Sequence, residues 1–179
     1  GLIPDLILQV SLNQEEPFGG FNTLCLSELC RLAQHEKVKV LLDGNGLDEQ
    51  WAGYDYYRGN MIKNAPTVQG SLDSPIRPDC LVSGFRDLAE IPKTFTGFTN
   101  DIQNLQYRDA FFTKIPRVLR FNDRISMRSS VELREPFLDH RLFELSFRQT
   151  ESRKIDKTTG KIGLRQLVKI FLPEGIIEA

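Results

Sequence analysis

Cysteine is scarce in this chain: three in 179 residues, at Cys25, Cys30 and Cys80. None forms a C-x-x-C pair and the count is odd, which argues against a disulfide framework and leads us to expect free thiols in a reducing cytoplasm. Histidine is scarcer still. His35 and His140 lie in different segments, so they supply no metal cluster and suit surface or loop positions. An excess of either charge is missing too. The formal net charge is −1, which leaves no basic footprint for nucleic acid. No apolar run approaches the ~20 residues of a membrane span, no signal peptide is visible at Gly1, and there are no repeats. What is present is 40% hydrophobic residues, enough for the core of one domain's worth of sequence.

The densest information lies in Val38 to Tyr57, VKVLLDGNGLDEQWAGYDYY. The run Val38-Lys39-Val40-Leu41-Leu42 reads as a buried strand. Asp43-Gly44-Asn45-Gly46 reads as a loop, and Asp48-Glu49 opens a helix expected to run from Leu47 to Arg58. A strand feeding a Gly-rich turn and a helix N-terminus is a common ligand site at the edge of an α/β sheet. Three familiar motifs fail here. A dinucleotide fingerprint needs a third glycine where Glu49 stands, and a P-loop needs a Lys-Ser or Lys-Thr that is absent. A calcium loop starting at Asp43 is broken at Leu47, Asp48 and Tyr54. What survives is a backbone-amide loop beside carboxylates. Amides attract phosphate and carboxylates attract Mg²⁺, so the pair suits a Mg-nucleotide or pyrophosphate site. The same letters also suit a structural turn with a capped helix.

A second stretch, residues 122–140, reads NDRISMRSSVELREPFLDH. Glu132, Arg134 and Glu135 precede an apolar turn, Pro136-Phe137-Leu138. Charges there need partners if the turn is buried, or form local salt bridges at a solvated helix end.

Together the two stretches resemble the C-terminal synthetase domain of the asparagine synthase (glutamine-hydrolysing) family. Its members carry SGEGADE(L/I)F-G-GY, matched here from Leu42 to Tyr54. They also carry DR-x-SM-x-x-x-x-E-x-R-x-PFLD, matched from Asp123 to Asp139. A lysine, a leucine-arginine pair and a later Leu-Pro correspond to Lys161, Leu164-Arg165 and Leu172-Pro173. Glu15-Glu16-Pro17 before a helix is similar as well. The likeness covers residues 14–58 and 105–175.

The resemblance implies an α/β fold: a partial Rossmann-like parallel sheet of the PP-loop ATP pyrophosphatase type (adenine nucleotide alpha hydrolase), followed by a largely helical C-terminal part. It also implies a ligase that uses ATP and Mg²⁺ to adenylate a small-molecule carboxylate. Ammonia from glutamine, supplied by an N-terminal glutaminase domain, then attacks the acyl-adenylate. Carried over, Asp48 is the Mg²⁺-pyrophosphate ligand. Gly44, Asn45 and Gly46 lie against nucleotide or substrate, Glu132 orients or assists the attacking amine, Lys161 stabilises phosphate charge, and Arg134 supports Glu132 or holds substrate. No membrane or nucleic-acid partner is implied, and a homodimer is compatible with the resemblance.

Two departures qualify it. The family's SGGxDS pyrophosphatase loop is absent, since Gly19-Gly20 precedes Phe21 and Ser83-Gly84 precedes Phe85. With no initial methionine or leading cysteine, residues 1–179 are expected to be the C-terminal portion of a longer synthetase, inactive alone, with that loop and the glutaminase domain upstream. Asn45 and Asp43 also stand where the family has glutamate and serine. Asparagine cannot act as a base near neutral pH. Aspartate is therefore in doubt as the substrate, and the alternatives are a divergent amidotransferase acting on a surface-polysaccharide or secondary-metabolite carboxylate, or a noncatalytic scaffold relative. An unrelated α/β binding module is disfavoured by the PFLD segment.

Elsewhere the pattern predicts a helix over 23–36 with Leu24, Leu29, Leu32 and Ala33 on one face. Residues 60–100, with Pro66, Pro75, Pro78 and Pro92, are expected to be irregular and mobile, with a short helix near 85–90. Helical pattern resumes from Asn100, and Pro116 begins or kinks a helix. Asp139 caps a helix over 139–148. A last helix is expected from Gly160-Lys161 to Phe171, burying Leu164, Leu167, Val168 and Phe171 and stopped by Pro173.

Overall fold

A computed structural model describes residues 2–58, 82, 84, 85, 88 and 96–177. The expectations for Cys80, and most of those for residues 60–100, lie outside these. The helices are α1 (Leu2–Gln14), α2 (Phe21–His35), α3 (Leu47–Trp51), α4 (Asp101–Arg108), α5 (Ile115–Arg128), α6 (His140–Phe147), α7 (Glu151–Lys154), α8 (Ile162–Val168) and α9 (Glu174–Ile177). Two strands, β1 (Val40–Leu42) and β2 (Glu132–Arg134), form a parallel pair with Val40 opposite Glu132 and Leu42 opposite Arg134. The chain is thus mixed α/β and mostly helical. It divides into two compact units, Gly1–Gly46 with Ile115–Glu144, and Leu47–Lys114 with Leu145–Ala179.

The first unit centres on Val10, Leu24, Cys30 and Ile125, with Leu6, Phe18, Leu26 and Leu41 packed against them. Polar bonds fix the pairing of α1 with α5. Gln14 Nε2 donates to the Phe121 carbonyl at 2.9 Å and Asn13 Nδ2 to the Arg124 carbonyl at 3.0 Å. Arg124 in turn donates to the Gln14 carbonyl. After α5 the chain reverses through Ser130, at φ 53°, and enters β2. The ladder closes with Glu132 N–H on the Lys39 carbonyl at 2.8 Å and Asp43 N–H on the Arg134 carbonyl at 2.9 Å.

Two sequence expectations are corrected in this unit. The strand at 38–42 is shorter and is not buried: Leu42 is 73% exposed, and Val38 and Val40 are exposed as well. Parallel strands are buried when neighbours and helices cover them, and among the described residues β1 has β2 as its one partner. In α2 the buried face is Thr23, Leu24, Ser27, Cys30 and Ala33, whereas Leu29 and Leu32 face outward. Small side chains let the helix backbone approach its neighbours closely, which a count of leucines does not reveal. Helix α1 was not anticipated from the sequence. Cys25 is exposed, Cys30 is buried, and both are free thiols.

The second unit packs Ala52, Tyr56, Tyr57, Ile102, Leu105 and Ile155 together, with Tyr54 alongside. Asn100 caps α4, its Oδ1 accepting from Ile102 N–H at 2.8 Å and Gln103 N–H at 3.2 Å. The helix then widens into a π-helical turn, Asp109–Thr113, that carries the Asp109 carboxylate fully inside. Gln106 Nε2 bonds the Glu49 and Gln50 carbonyls at 2.7 Å, tying α3 to α4. Lys154 Nζ donates to Gln106 Oε1 at 2.9 Å, and burial lowers the Lys154 pKa to about 8.

Here too the helices are shorter than the pattern suggests. The one expected over 47–58 stops at Trp51, because Ala52 turns into the left-handed region at φ 53°; a 3₁₀ turn, Asp55–Tyr57, follows. Helix α8 covers Ile162–Val168, with Leu167 exposed and Phe171 beyond its end and 74% exposed. The expected apolar stripe is therefore not a buried one. The close contact on α8 is made by Gly163, where a Cβ would stand 3.0 Å from the Trp51 ring.

Candidate functional site

In the second unit Asp48 lies in the first turn of α3 and Lys161 is the residue before α8. The structure brings them together: Lys161 Nζ stands 2.8 Å from Asp48 Oδ1. Backbone bonds set that distance. Lys161 N–H donates to the Trp51 carbonyl at 3.0 Å, and Gly53 N–H donates to the Asp48 carbonyl at 2.9 Å. Lys161 itself is held at φ 57°, in the left-handed region that costs a side-chain-bearing residue about 1 kcal/mol or more.

Two glycines make the approach possible. A Cβ on Gly53 would overlap the Asp48 carboxylate and the Lys161 side chain, and one on Gly160 would come within 2.6 Å of the Ala52 carbonyl oxygen. Neither glycine was singled out from the sequence, since nothing local signals contact with a partner so far along the chain. The pair is only half-covered, with side chains 28% (Lys161) and 37% (Asp48) exposed. An ion pair that exposed contributes at most about 1 kcal/mol to stability, so its placement is better suited to meeting a ligand than to holding the fold.

Glu49, beside Asp48, is turned inward. It accepts from the Tyr54 hydroxyl at 2.8 Å, and burial raises its pKa. It braces α3 from within.

In the first unit the loop after β1 leads through Gly44, exposed with open space around it, to Gly46, whose φ of 99° requires glycine. Asn45 is not free to turn its amide outward: Nδ2 donates to Asp43 Oδ2 at 3.0 Å and to Glu135 Oε1 at 3.2 Å. Asp43 Oδ2 also accepts from Asn122 Nδ2 at 3.2 Å. Burial and the neighbouring Asp43 raise the Glu135 pKa, against the bond from Asn45. Glu135 Oε2 is buried without a hydrogen-bond partner. Asp43 and Glu135 directly follow the C-terminal ends of the two parallel strands, where open α/β sheets carry ligands, and Asn122 reaches them from α5. The Asn122–Asp43 and Asn45–Glu135 bonds went unforeseen because Asn122 and Glu135 are brought in from a distant part of the sequence.

Glu132 and Arg134 lie two residues apart on β2 and so share a face. Arg134 Nε donates to Glu132 Oε1 at 2.8 Å, and both are exposed. That bond holds the Glu132 carboxyl below its ordinary range. Glu132 is thus a poor proton acceptor while paired and a good partner for an ammonium or amine N–H.

The family model described as asparagine synthase matches residues 2–179. The chain belongs to the asparagine synthase family. It is 28% identical over 178 residues to "Asparagine synthetase [glutamine-hydrolyzing] 1" of Bacillus subtilis, covering 91% of this chain and 28% of the relative. It is 26% identical over 186 residues to "Putative asparagine synthetase [glutamine-hydrolyzing]" of Mycobacterium tuberculosis, covering 78% of this chain and 28% of the relative. The matches thus span about 28% of the length of these relatives. No solved structure matches the chain. Among the described residues no helix is long and apolar enough to cross a membrane.

Proposed function

We propose that this chain is the synthetase part of an ATP-dependent, glutamine-hydrolysing amidotransferase, with the Rossmann-like PP-loop organisation that its β1–β2 ladder would extend. The observation that carries the reading is the Asp48–Lys161 pair, a carboxylate and an ammonium held 2.8 Å apart by backbone contacts and still open to solvent. In the reaction a carboxylate oxygen attacks the α-phosphorus of ATP, the α–β phosphoanhydride bond breaks and pyrophosphate leaves. Ammonia then adds to the acyl carbon, AMP leaves, and the surplus proton passes to a base. Lys161 stabilises charge building on the phosphate oxygens.

Asp48 fits Mg²⁺ in one specific way. Among the described residues no three potential ligands cluster to form an all-protein cage, but Mg²⁺ is commonly held by one or two carboxylates with phosphates and water filling the remaining positions. Bound so, Mg²⁺ would neutralise the departing pyrophosphate. Glu132, held by Arg134, orients the incoming amine. A glutaminase domain of the whole protein supplies the ammonia.

The substrate acid is a separate matter. Both donors of the Asn45 amide are taken by Asp43 and Glu135, so this position offers a carbonyl where the family pattern offers a glutamate. That favours an acid other than aspartate, such as a surface-polysaccharide or secondary-metabolite carboxylate. The test is pyrophosphate release by the full-length protein, of which this chain is the synthetase part, with ATP, Mg²⁺ and ammonia across a panel of carboxylates. Release with at least one non-aspartate acid, at least about tenfold above aspartate, is expected. Efficient turnover of aspartate would overturn the substrate assignment, and silence with every acid would overturn the adenylation reading.

A further inference from the structure

Lys161, with its backbone at φ 57°, follows directly on a turn over residues 155–160. An antiparallel bridge between Ile155 and Gly160 closes the base of the turn, and Asp156 N–H donates to the Thr159 carbonyl at 3.0 Å. Inside it Asp156 Oδ1 accepts from the Thr158 and Thr159 N–H groups, each at 2.7 Å, and from the Thr158 hydroxyl at 3.2 Å. We propose that Asp156 is a positioning residue for Lys161: by ordering this turn it fixes the backbone from which the Lys161 side chain reaches Asp48.

A left-handed backbone at a residue with a side chain persists only where its surroundings over-determine it. The Trp51 carbonyl holds the Lys161 N–H, and the Lys161 carbonyl accepts from Arg165 N–H at 2.8 Å. Those bonds fix Lys161 from the sides of α3 and α8, and the turn fixes it from its own N-terminal side. Both ends of the turn are anchored: Ile155 belongs to the core of the second unit, and Gly160 lies against the Ala52 carbonyl. Arg58 ties the tip to the segment after α3, with Nη1 on the Thr158 carbonyl at 2.8 Å and Nη2 on Asp55 at 2.6 Å. The two members of the Asp48–Lys161 pair thus sit on segments joined through Thr158. Asp156 has no other task. It is exposed, and among the described residues all its side-chain hydrogen bonds lie inside the turn. The bonds from the Thr158 and Thr159 N–H groups hold its carboxyl below the ordinary range, so it is an ionised acceptor at neutral pH. A short polar side chain that bonds the backbone two and three residues on specifies such a turn locally. Without the carboxylate those N–H groups turn to water, the core is untouched, and the Lys161 backbone is free to relax away from Asp48.

The kinetic part of the test rests on the adenylation reading; the chemical part does not. In the full-length protein the rate at which acetic anhydride acetylates Lys161 is followed by mass spectrometry, with the exposed Lys37 of the first unit as reference. D156A is expected to raise the Lys161 rate at least about threefold, because an ammonium that leaves its carboxylate partner gives up its proton more readily. D156N, whose amide oxygen still accepts both N–H bonds, is expected to leave that rate unchanged. With ATP, Mg²⁺, ammonia and an acid that gives release, D156A is expected to lower kcat about tenfold with the KM values for ATP and acid unchanged, since a misplaced reacting group costs up to about a hundredfold. The residual rate of K161A is expected to show no further loss on adding D156A, because both changes act through one group. Unchanged Lys161 acetylation in a folded D156A variant, or losses that multiply in the double variant, would overturn the proposal. Thermal melting identifies a variant that does not fold; R58Q, which cuts the tie at the Thr158 carbonyl, then carries the comparison. Faster Lys161 acetylation in a protein silent across the carboxylate panel would support the positioning and count against the adenylation reading alone.

Discussion

Replacing Asp48 with asparagine is expected to lower carboxylate-dependent pyrophosphate release by about a hundred- to a thousandfold, the range seen when one preorganised electrostatic group is removed from a reaction centre. The fold should barely register the change. With the two side chains 28% and 37% exposed, the pair with Lys161 contributes no more than about 1 kcal/mol to stability. Asparagine also keeps the size that Gly53 leaves room for. Release by the full-length protein, measured with saturating ATP and Mg²⁺ alongside a thermal melt, separates the two effects. A variant that melts like the wild type and releases pyrophosphate at an undiminished rate would remove Asp48 from the chemistry.

Asp109→Ala is expected to do the opposite, destabilising the second unit by about 3–5 kcal/mol through the loss of a buried, fully used carboxylate. Asp109 Oδ2 accepts from the Tyr56 hydroxyl at 2.7 Å and the Tyr57 hydroxyl at 3.0 Å. Oδ1 accepts from Arg108 Nη2 at 2.7 Å and Thr113 Oγ1 at 2.9 Å. Removing the carboxylate leaves an arginine charge and three hydroxyls in a buried setting with their acceptor gone, each a desolvation cost. Burial and Asp109 already push the Tyr56 and Tyr57 hydroxyl pKa values well up, so these groups remain donors at every pH the protein experiences. Urea unfolding reads the loss, and a change under about 1 kcal/mol would mean that the network is not the brace the geometry describes.

These two aspartates also show how much the sequence disclosed. The place of Asp48 in the first turn of a helix was legible because its surroundings are local: an apolar run, two glycines and an acidic helix start, all consecutive. The same applies to the helix cap at Asp139, whose Oδ1 accepts from Arg141 N–H at 2.8 Å. Asp109 was not legible, because nothing in DAFFT announces a π-turn that swings a carboxylate into the core. Periodicity misled where backbone conformation or small side chains governed packing. Ala52 ended α3 early by adopting positive φ, and Ser27 and Cys30 took the inner face of α2 from Leu29 and Leu32. The glycines that admit the ion pair, Gly53 and Gly160, carry meaning only once Asp48 and Lys161 are seen against them.

The central claim, that carboxylate activation by this protein proceeds through an acyl-adenylate handled by Asp48 and Lys161, has one direct test. The acid that gives release in the carboxylate panel is prepared with ¹⁸O in its carboxyl group and turned over with ATP, Mg²⁺ and ammonia, and the nucleotide and phosphate products are examined by mass spectrometry. Adenylation predicts one ¹⁸O atom transferred to AMP and none to inorganic phosphate. Label appearing in inorganic phosphate, with ADP as the nucleotide product, would contradict it.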